Sequence, residues 1–214
     1  LLYIKFRRLW KALIYYMINW NKDYFFYLYS RSYKDGVYFD KVSDALVDIV
    51  GVKNAYIIES YNDICLERNY KYGNVSPLEG LFARFVRKRY DMTYLLHLLE
   101  NSFPDVSFDP AKWQKEYIFF YASFRFYCHL FRVKKVKTAF MIMNGYQNGM
   151  LAAAKKTGVS LYELQHGEIT RNHMCYSYPE EDSVMGKIYS PTTLLTLGRF
   201  WMHDCIYPGV DVKV

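Results

Sequence analysis

Residues 136–167 read VKTAFMIMNGYQNGMLAAAKKTGVSLYELQHG, and this stretch decides the predicted fold. The apolar run 138–143 stops at Asn-Gly, which is typical of a buried strand that ends in a turn. The alanine-rich segment 146–157 is predicted to be helical, because Gly158 follows it and glycine readily ends a helix. A second strand is predicted at 160–165. Together these segments have the length of one right-handed parallel crossover.

The rest of the chain extends this unit into a larger sheet. Two apolar runs flank a helix pattern that ends at Gly51 and that Asp40 or Ser43 can cap. A β-α-β order of this kind argues for parallel strands. The sequence therefore predicts an α/β fold, with a Rossmann-like, mostly parallel sheet flanked by helices. Its predicted strands are 24–29, 55–59, 138–143, 160–165 and 193–197.

A long helical insertion is predicted between the second and third strands. Ser76 and Glu79 form a capping-box pattern with proline at the first helical position, which favours a helix over 78–100. Asp109 and the proline after it begin another predicted helix over 111–133. Helical spacing also predicts an amphipathic helix over 1–19, packed on the sheet or lying on a membrane surface.

Length and composition favour one globular domain. A chain of 214 residues that is 52% hydrophobic is long and apolar enough to bury a core, which excludes a disordered chain. We expect residues 1–206 to form this domain and 207–214 to start a linker. The four cysteines show no C-x-x-C pairing, so we expect reduced thiols. The net charge of +7 indicates an anionic partner: a phospholipid surface, a diphosphate or a nucleic acid.

The carboxyl end of the strand at 160–165 carries the first candidate for chemistry. Ligands of open α/β sheets bind at this edge, and His166 follows the strand just before Gly167. A neutral imidazole can accept a hydroxyl proton near pH 7. The alternative is a histidine that only hydrogen-bonds its loop. Gln165 and Glu163 share the opposite strand face, where we favour a structural role for Glu163.

Other polar residues follow neighbouring predicted strands. The segment after 138–143 opens a helix, so its backbone N–H groups can hold an anion or a sugar hydroxyl. An arginine after 24–29 can meet a diphosphate or lie in solvent. His166, His173 and Glu168 are too few at this spacing to predict a metal site. The candidate substrate-binding residues are Ser30, Arg31, Asn144, Gly145, Gln165, Gly167 and His173.

Three segments carry a resemblance to a known family. Residues 153–167, AAKKTGVSLYELQHG, resemble the E-x-Q-H-G segment of bacterial surface and capsular polysaccharide glycosyltransferases of the GT-B type. Residues 27–40 resemble a segment near the start of those enzymes, and residues 193–201 resemble their "lltfGeyw" segment. GT-B enzymes have a second Rossmann-like domain that binds most of the nucleotide-sugar. The resemblance therefore implies the N-terminal, acceptor-side half of such an enzyme.

The resemblance also implies a function. Such an enzyme transfers a sugar from a nucleotide-activated donor to a glycan or lipid-linked acceptor, with His166 as the general base and no metal cofactor. It would act in polysaccharide biosynthesis in the cytoplasm, as a peripheral protein on the inner face of the cell membrane. Two alternatives stay open. One is a non-catalytic module for anionic lipid or nucleic acid, although no nucleic-acid motif is recognisable. The other is transfer of a polyol phosphate by similar histidine chemistry.

Basic and aromatic residues are mixed on the predicted helices 78–100 and 111–133. This combination is typical of a helix that lies on an anionic membrane surface, whereas a charge run alone indicates a solvated face. The apolar run 9–18 is too short to cross a bilayer. The candidate membrane-surface residues are Arg84, Arg87, Lys88 and Arg89.

We expect the charge reversals Arg84→Glu, Arg87→Glu and Lys88→Glu together to release the protein from anionic membranes. Each cation near such a surface contributes about 1 kcal/mol, so the loss is large enough for sedimentation with phosphatidylserine vesicles to detect. Neutral phosphatidylcholine vesicles provide the control. If wild type and variant both stay in the supernatant with anionic vesicles, the basic face is only solvated.

Overall fold

The computed structural model describes residues 2–29, 32–59, 72–73, 75–87, 93–142, 147–170, 176, 190–202 and 210–214. Its helices are α1 (Leu2–Ile18), α2 (Asp44–Val50), α3 (Ser76–Arg87), α4 (Thr93–Ser102), α5 (Pro110–Lys134) and α6 (Asn148–Thr157). Its strands are β1 (Tyr24–Leu28), β2 (Ser32–Lys34), β3 (Val37–Phe39), β4 (Ala55–Glu59), β5 (Thr138–Met141), β6 (Ser160–Leu164), β7 (Thr193–Leu195) and β8 (Asp211–Lys213). Short 3₁₀ turns occupy Val52–Asn54 and Arg199–Met202.

Six of these strands form one parallel sheet in the order β4-β1-β5-β6-β7-β8. The predicted α/β class, Rossmann-like with helices on the sheet, is therefore confirmed. Each predicted strand is present, and several end one or two residues early. The strand β8 lies within the segment expected to start a linker, where Asp211 aligns with Thr193 of β7. Residues 211–213 thus belong to the sheet.

Two local elements differ from the prediction. The antiparallel hairpin β2–β3 was not predicted from the sequence. Asp35 and Gly36 form its turn, and both have positive φ. Two such residues in succession match the right-handed twist of the flanking strands. Where one helix was predicted over 78–100, the structure has α3 and α4. Residues 88–92 between them lie outside the described residues.

Aspartates hold the turn before α2 and the first turn of α5. An Asp40 oxygen accepts hydrogen bonds from the backbone N–H groups of Val42 (2.8 Å) and Ser43 (3.1 Å), whereas the Ser43 side chain makes no capping bond. Asp109 caps α5, as predicted, by accepting from the N–H groups at positions 111 and 112. Each carboxylate satisfies N–H groups that lack helical partners.

The strand β1 lies at the centre of the core. Phe25 and Tyr27 pack on one face of the sheet with α1, α5 and α6, and Phe25 meets Phe131 edge-on with ring centroids 5.2 Å apart. Phe26 and Leu28 pack on the other face with Val47 of α2. These four side chains of β1 are all buried. Such burial on both faces is typical of a strand inside a parallel sheet.

The helix α1 covers the outer edge of β4. The Tyr15 hydroxyl donates to the Ile57 carbonyl at 2.6 Å and accepts from the Ile57 N–H at 3.2 Å, so it satisfies backbone groups on that edge. Ala12 is buried in the core, while Phe6 and Trp10 are exposed. The helix therefore packs on the sheet and also presents apolar side chains outward. Among the described residues, no helix is long and apolar enough to cross a bilayer.

The close approach of α6 to α5 depends on Gly149. A Cβ atom at this position would lie 2.8 Å from the Phe120 carbonyl oxygen and from the Phe124 nitrogen. These are backbone atoms of α5, so they cannot move aside as a flexible side chain would. Gly80 of α3 is the opposite case, since an added Cβ would meet open space.

We expect Gly149→Ala to lower the free energy of unfolding by about 1–3 kcal/mol, because the extra methyl group forces α6 away from α5. The matched control is Gly80→Ala, which should raise it by about 0.5–1 kcal/mol through the better helix propensity of alanine. Urea denaturation followed by circular dichroism measures both changes. Equal effects at the two sites would show that the α5–α6 contact tolerates a side chain.

Candidate functional site

The strand order places a topological switch point between β1 and β5. From β1 the chain crosses one face of the sheet through α2 to reach β4 on one side. From β4 it crosses the other face through α3 and α5 to reach β5 on the opposite side of β1. The helix that leaves β5, α6, lies on the face opposite to α2, so the helices that follow the neighbouring strands β1 and β5 lie on opposite faces. In open α/β sheets such a switch point is where ligands bind.

His166 lies at the carboxyl edge of this sheet, as predicted. It follows β6, which is the next strand beyond β5, and its side chain is half-buried with a buried Nδ1 atom. At Gly167 an added Cβ would meet open space, so the fold does not need glycine there for steric reasons.

Gln165 holds two loops together. Its Nε2 donates to the Gly167 carbonyl at 2.9 Å, and its Oε1 accepts from the Leu197 N–H at 2.8 Å. The side chain is 1% exposed, so both ends of the amide are used inside the protein. The predicted contact of Gln165 with substrate stays a prediction. The observed contacts position the segment that carries His166.

Glu163 is buried beneath the same edge. Its Oε1 accepts a hydrogen bond from the Tyr176 hydroxyl at 2.5 Å, which ties the chain beyond β6 back to the strand. Tyr176 also packs with Ile169 and Leu194 in a small apolar cluster. These contacts agree with the structural role favoured for Glu163 from the sequence.

Most of the other predicted site residues cannot be placed. Arg84 is exposed on α3, and Arg87 ends that helix. The remaining predicted residues lie outside the described residues: Ser30, Arg31, Lys88, Arg89, Asn144, Gly145 and His173. The structure therefore brings Gln165, His166 and Gly167 to the sheet edge and leaves the other binding assignments as predictions.

A second polar cluster lies at the switch point, on the side where α5 packs, and the sequence did not predict it. Ser123 donates to the Glu79 carboxylate oxygen Oε1 at 3.3 Å, and the hydroxyl of Tyr127 lies beside the same carboxyl. Gln147, just before α6, donates from Nε2 to the Tyr27 hydroxyl at 2.8 Å. The capping-box pattern concealed Glu79, because it assigns this carboxyl to the start of its own helix.

Burial raises the pKa of Glu79 to about 7, against the smaller lowering effects of the Ser123 hydrogen bond and of the neighbouring Tyr127 hydroxyl. Burial also raises the pKa of Tyr127, and the Glu79 charge adds to that rise. A buried carboxyl that titrates near neutral pH can exchange a proton or remain protonated, and such groups concentrate at functional sites. No group of three or more metal-ligating side chains occurs within the described part of the chain.

Comparison with protein-family models, curated proteins and solved structures finds no match to this chain.

We expect Glu79→Gln to be increasingly favourable for stability as the pH rises. The native state keeps the Glu79 proton up to about pH 7, whereas the unfolded chain loses it near pH 4.5, so wild-type stability falls across this window. The free energy of unfolding of Glu79→Gln minus that of wild type should rise by up to about 3 kcal/mol between pH 4.5 and pH 8. Urea denaturation at the two pH values measures this shift.

Glu116→Gln, which removes an exposed carboxyl from α5, is the control for that measurement. A pH-independent difference between wild type and Glu79→Gln would show that Glu79 is solvated in the folded protein.

Proposed function

We propose that this chain is the acceptor-side domain of a GT-B-type glycosyltransferase of bacterial surface polysaccharide synthesis. It would bind a glycan or lipid-linked acceptor at the carboxyl edge of the sheet. The nucleotide-sugar donor would bind mainly to a second domain, and no metal would be required. The support is the E-L-Q-H-G segment together with the position at which that segment ends.

The position of His166 is the observation that carries this proposal. Its imidazole is half-buried at the strand edge where parallel α/β sheets bind ligands, and it lies one strand from the switch point. Inverting sugar transfer needs a base that takes the proton of the acceptor hydroxyl as that oxygen attacks the anomeric carbon. A histidine is suited to this step at neutral pH. Gln165 would act indirectly, by fixing the loop.

A membrane-associated role is a further part of the proposal. The helix α3, which carries Arg84 of the predicted basic cluster, exposes Phe85, and the helices α4 and α5 expose Tyr94 and Trp113. Aromatic rings beside cations suit the headgroup region of an anionic bilayer. Such a surface would bring the domain to a lipid-linked acceptor on the cytoplasmic face of the membrane. The same surface also suits the alternative function of a non-catalytic lipid-binding module.

We expect His166→Ala in the natural full-length protein to lower the turnover rate by about 10²–10⁴-fold, which is the usual contribution of a general base. His166→Gln should be almost as slow, because the amide forms hydrogen bonds but cannot accept the proton. The measurement is the turnover rate at saturating acceptor and nucleotide-sugar, with the thermal unfolding midpoint checked for each variant.

His97→Gln, which changes an exposed histidine of α4, is the matched control and should turn over like wild type. Turnover of His166→Gln near the wild-type rate would mean that His166 only positions a ligand or its loop.

A further inference from the structure

A polar cluster that sugar transfer by His166 does not use lies at the switch point between β1 and β5. Its inner side chains are buried, and its outer ones are partly exposed. They come from β1 and the residue after it, α3, α5 and the residue before α6, which meet at the switch point of the sheet. We call this group the Glu79 cluster. Its inner members are Tyr27, Ser123 and Tyr127, and its outer members are Tyr29, Glu79 and Gln147.

The contacts within the Glu79 cluster are continuous. Gln147 donates to the hydroxyl of Tyr27, and the ring of Tyr27 lies 5.5 Å from that of Tyr29 between centroids. Tyr127 interacts electrostatically with Tyr27 on one side and with Glu79 on the other. The side chains therefore form one lining and not a set of separate surface groups.

The charges of the described members of the Glu79 cluster favour a neutral ligand. The described groups that face the Glu79 carboxyl are Ser123 and Tyr127, with Tyr27 and Tyr29 beyond Tyr127, and they include no cation. A phosphate or diphosphate needs cationic or multiple N–H donors, which these groups do not supply. Phenols, an amide, a hydroxyl and a carboxyl together offer both donors and acceptors to the hydroxyl groups of a sugar. The aromatic rings add an apolar surface for its C–H groups.

A purely structural role explains this arrangement poorly. Burying a carboxyl without a cation costs free energy, and an amide or apolar side chain would fill the same space at lower cost. Glu79 also lies at the edge where this class of fold binds ligands, and the residue is partly exposed.

We propose that the Glu79 cluster is a binding site for a neutral sugar ring, in which Glu79 holds one of the ligand's hydroxyl groups. When the ligand is bound, Glu79 is the neutral acid. An entering ligand removes the remaining water from the carboxyl, and loss of water is already the largest cause of its raised pKa. The neutral acid then donates a hydrogen bond to a ligand oxygen. This site does not require His166 to act as a base.

The pH dependence of binding follows from Glu79 alone. The titratable group beside Glu79 is the phenol of Tyr127, with Tyr27 and Tyr29 beyond it, and burial raises the pKa of Tyr127 above its ordinary value. The pKa of Glu79 is about 7, so the neutral fraction falls about tenfold over this range. Affinity for a neutral ligand should fall by the same factor.

Titration of the intact chain with methyl glycosides of glucose, galactose, mannose and N-acetylglucosamine, followed by saturation-transfer NMR, tests the site. At least one glycoside should bind at pH 6 with Kd on the order of 1–10 mM, as expected for so small a ligand. Wild-type affinity should weaken about tenfold by pH 8. Glu79→Gln should keep the pH 6 affinity at both pH values, because its amide retains a donor and an acceptor.

Glu79→Ala should lose at least about tenfold in affinity at pH 6. The exposed Glu116→Gln should match wild type throughout, and circular dichroism confirms that each variant is folded. Three results overturn the proposal: no glycoside binds wild type, inorganic phosphate displaces the bound glycoside, or a folded Glu79→Ala variant binds as wild type does. This test measures binding, whereas the His166 test measures turnover. Either result can therefore contradict its own proposal while the other result agrees with its own.

Discussion

Burial of β1 on both of its faces is the constraint on which the rest of the structure depends. Phe25 and Tyr27 require one helical layer, and Phe26 and Leu28 require another. The chain meets both requirements by crossing first through α2 to β4 and then through α3 and α5 to β5. These opposite crossings create the switch point. A strand buried on only one face would not require helices to diverge at its carboxyl end.

Two ionisable side chains, Lys134 and Glu79, show how differently this fold treats cations and anions. Lys134, at the end of α5, is fully buried, and its Nζ lies 4.4 Å from the ring centroids of Tyr16 and Trp20. Its ammonium also donates to the Tyr16 carbonyl. Burial lowers its pKa to about 8, yet the aromatic rings and the carbonyl favour the charged form. Glu79 has no counterion among the described groups that face it, and its neutral form gains instead.

The two candidate groups at the sheet edge differ in how visible they are in the sequence. His166 follows a short apolar run and precedes a glycine, so its place at a strand end follows from local pattern alone. Glu79 sits in a local pattern that indicates a helix cap. Its carboxyl instead meets Ser123, which lies 44 positions further along the chain. No local signal reports that contact.

The sequence by itself determined five of the strands, their parallel direction and the edge at which His166 lies, because these depend on apolar periodicity and on turn residues close in the chain. Only the tertiary structure decided which residues are desolvated or brought close together. Gly149 must lack a side chain because α5 passes next to it, and residues 211–213 pair with β7 because that edge is open to them. The acidity of Glu79 likewise depends on distant helices that exclude water from it. Desolvation and close packing are set by elements that meet only after folding, so a local pattern cannot encode them.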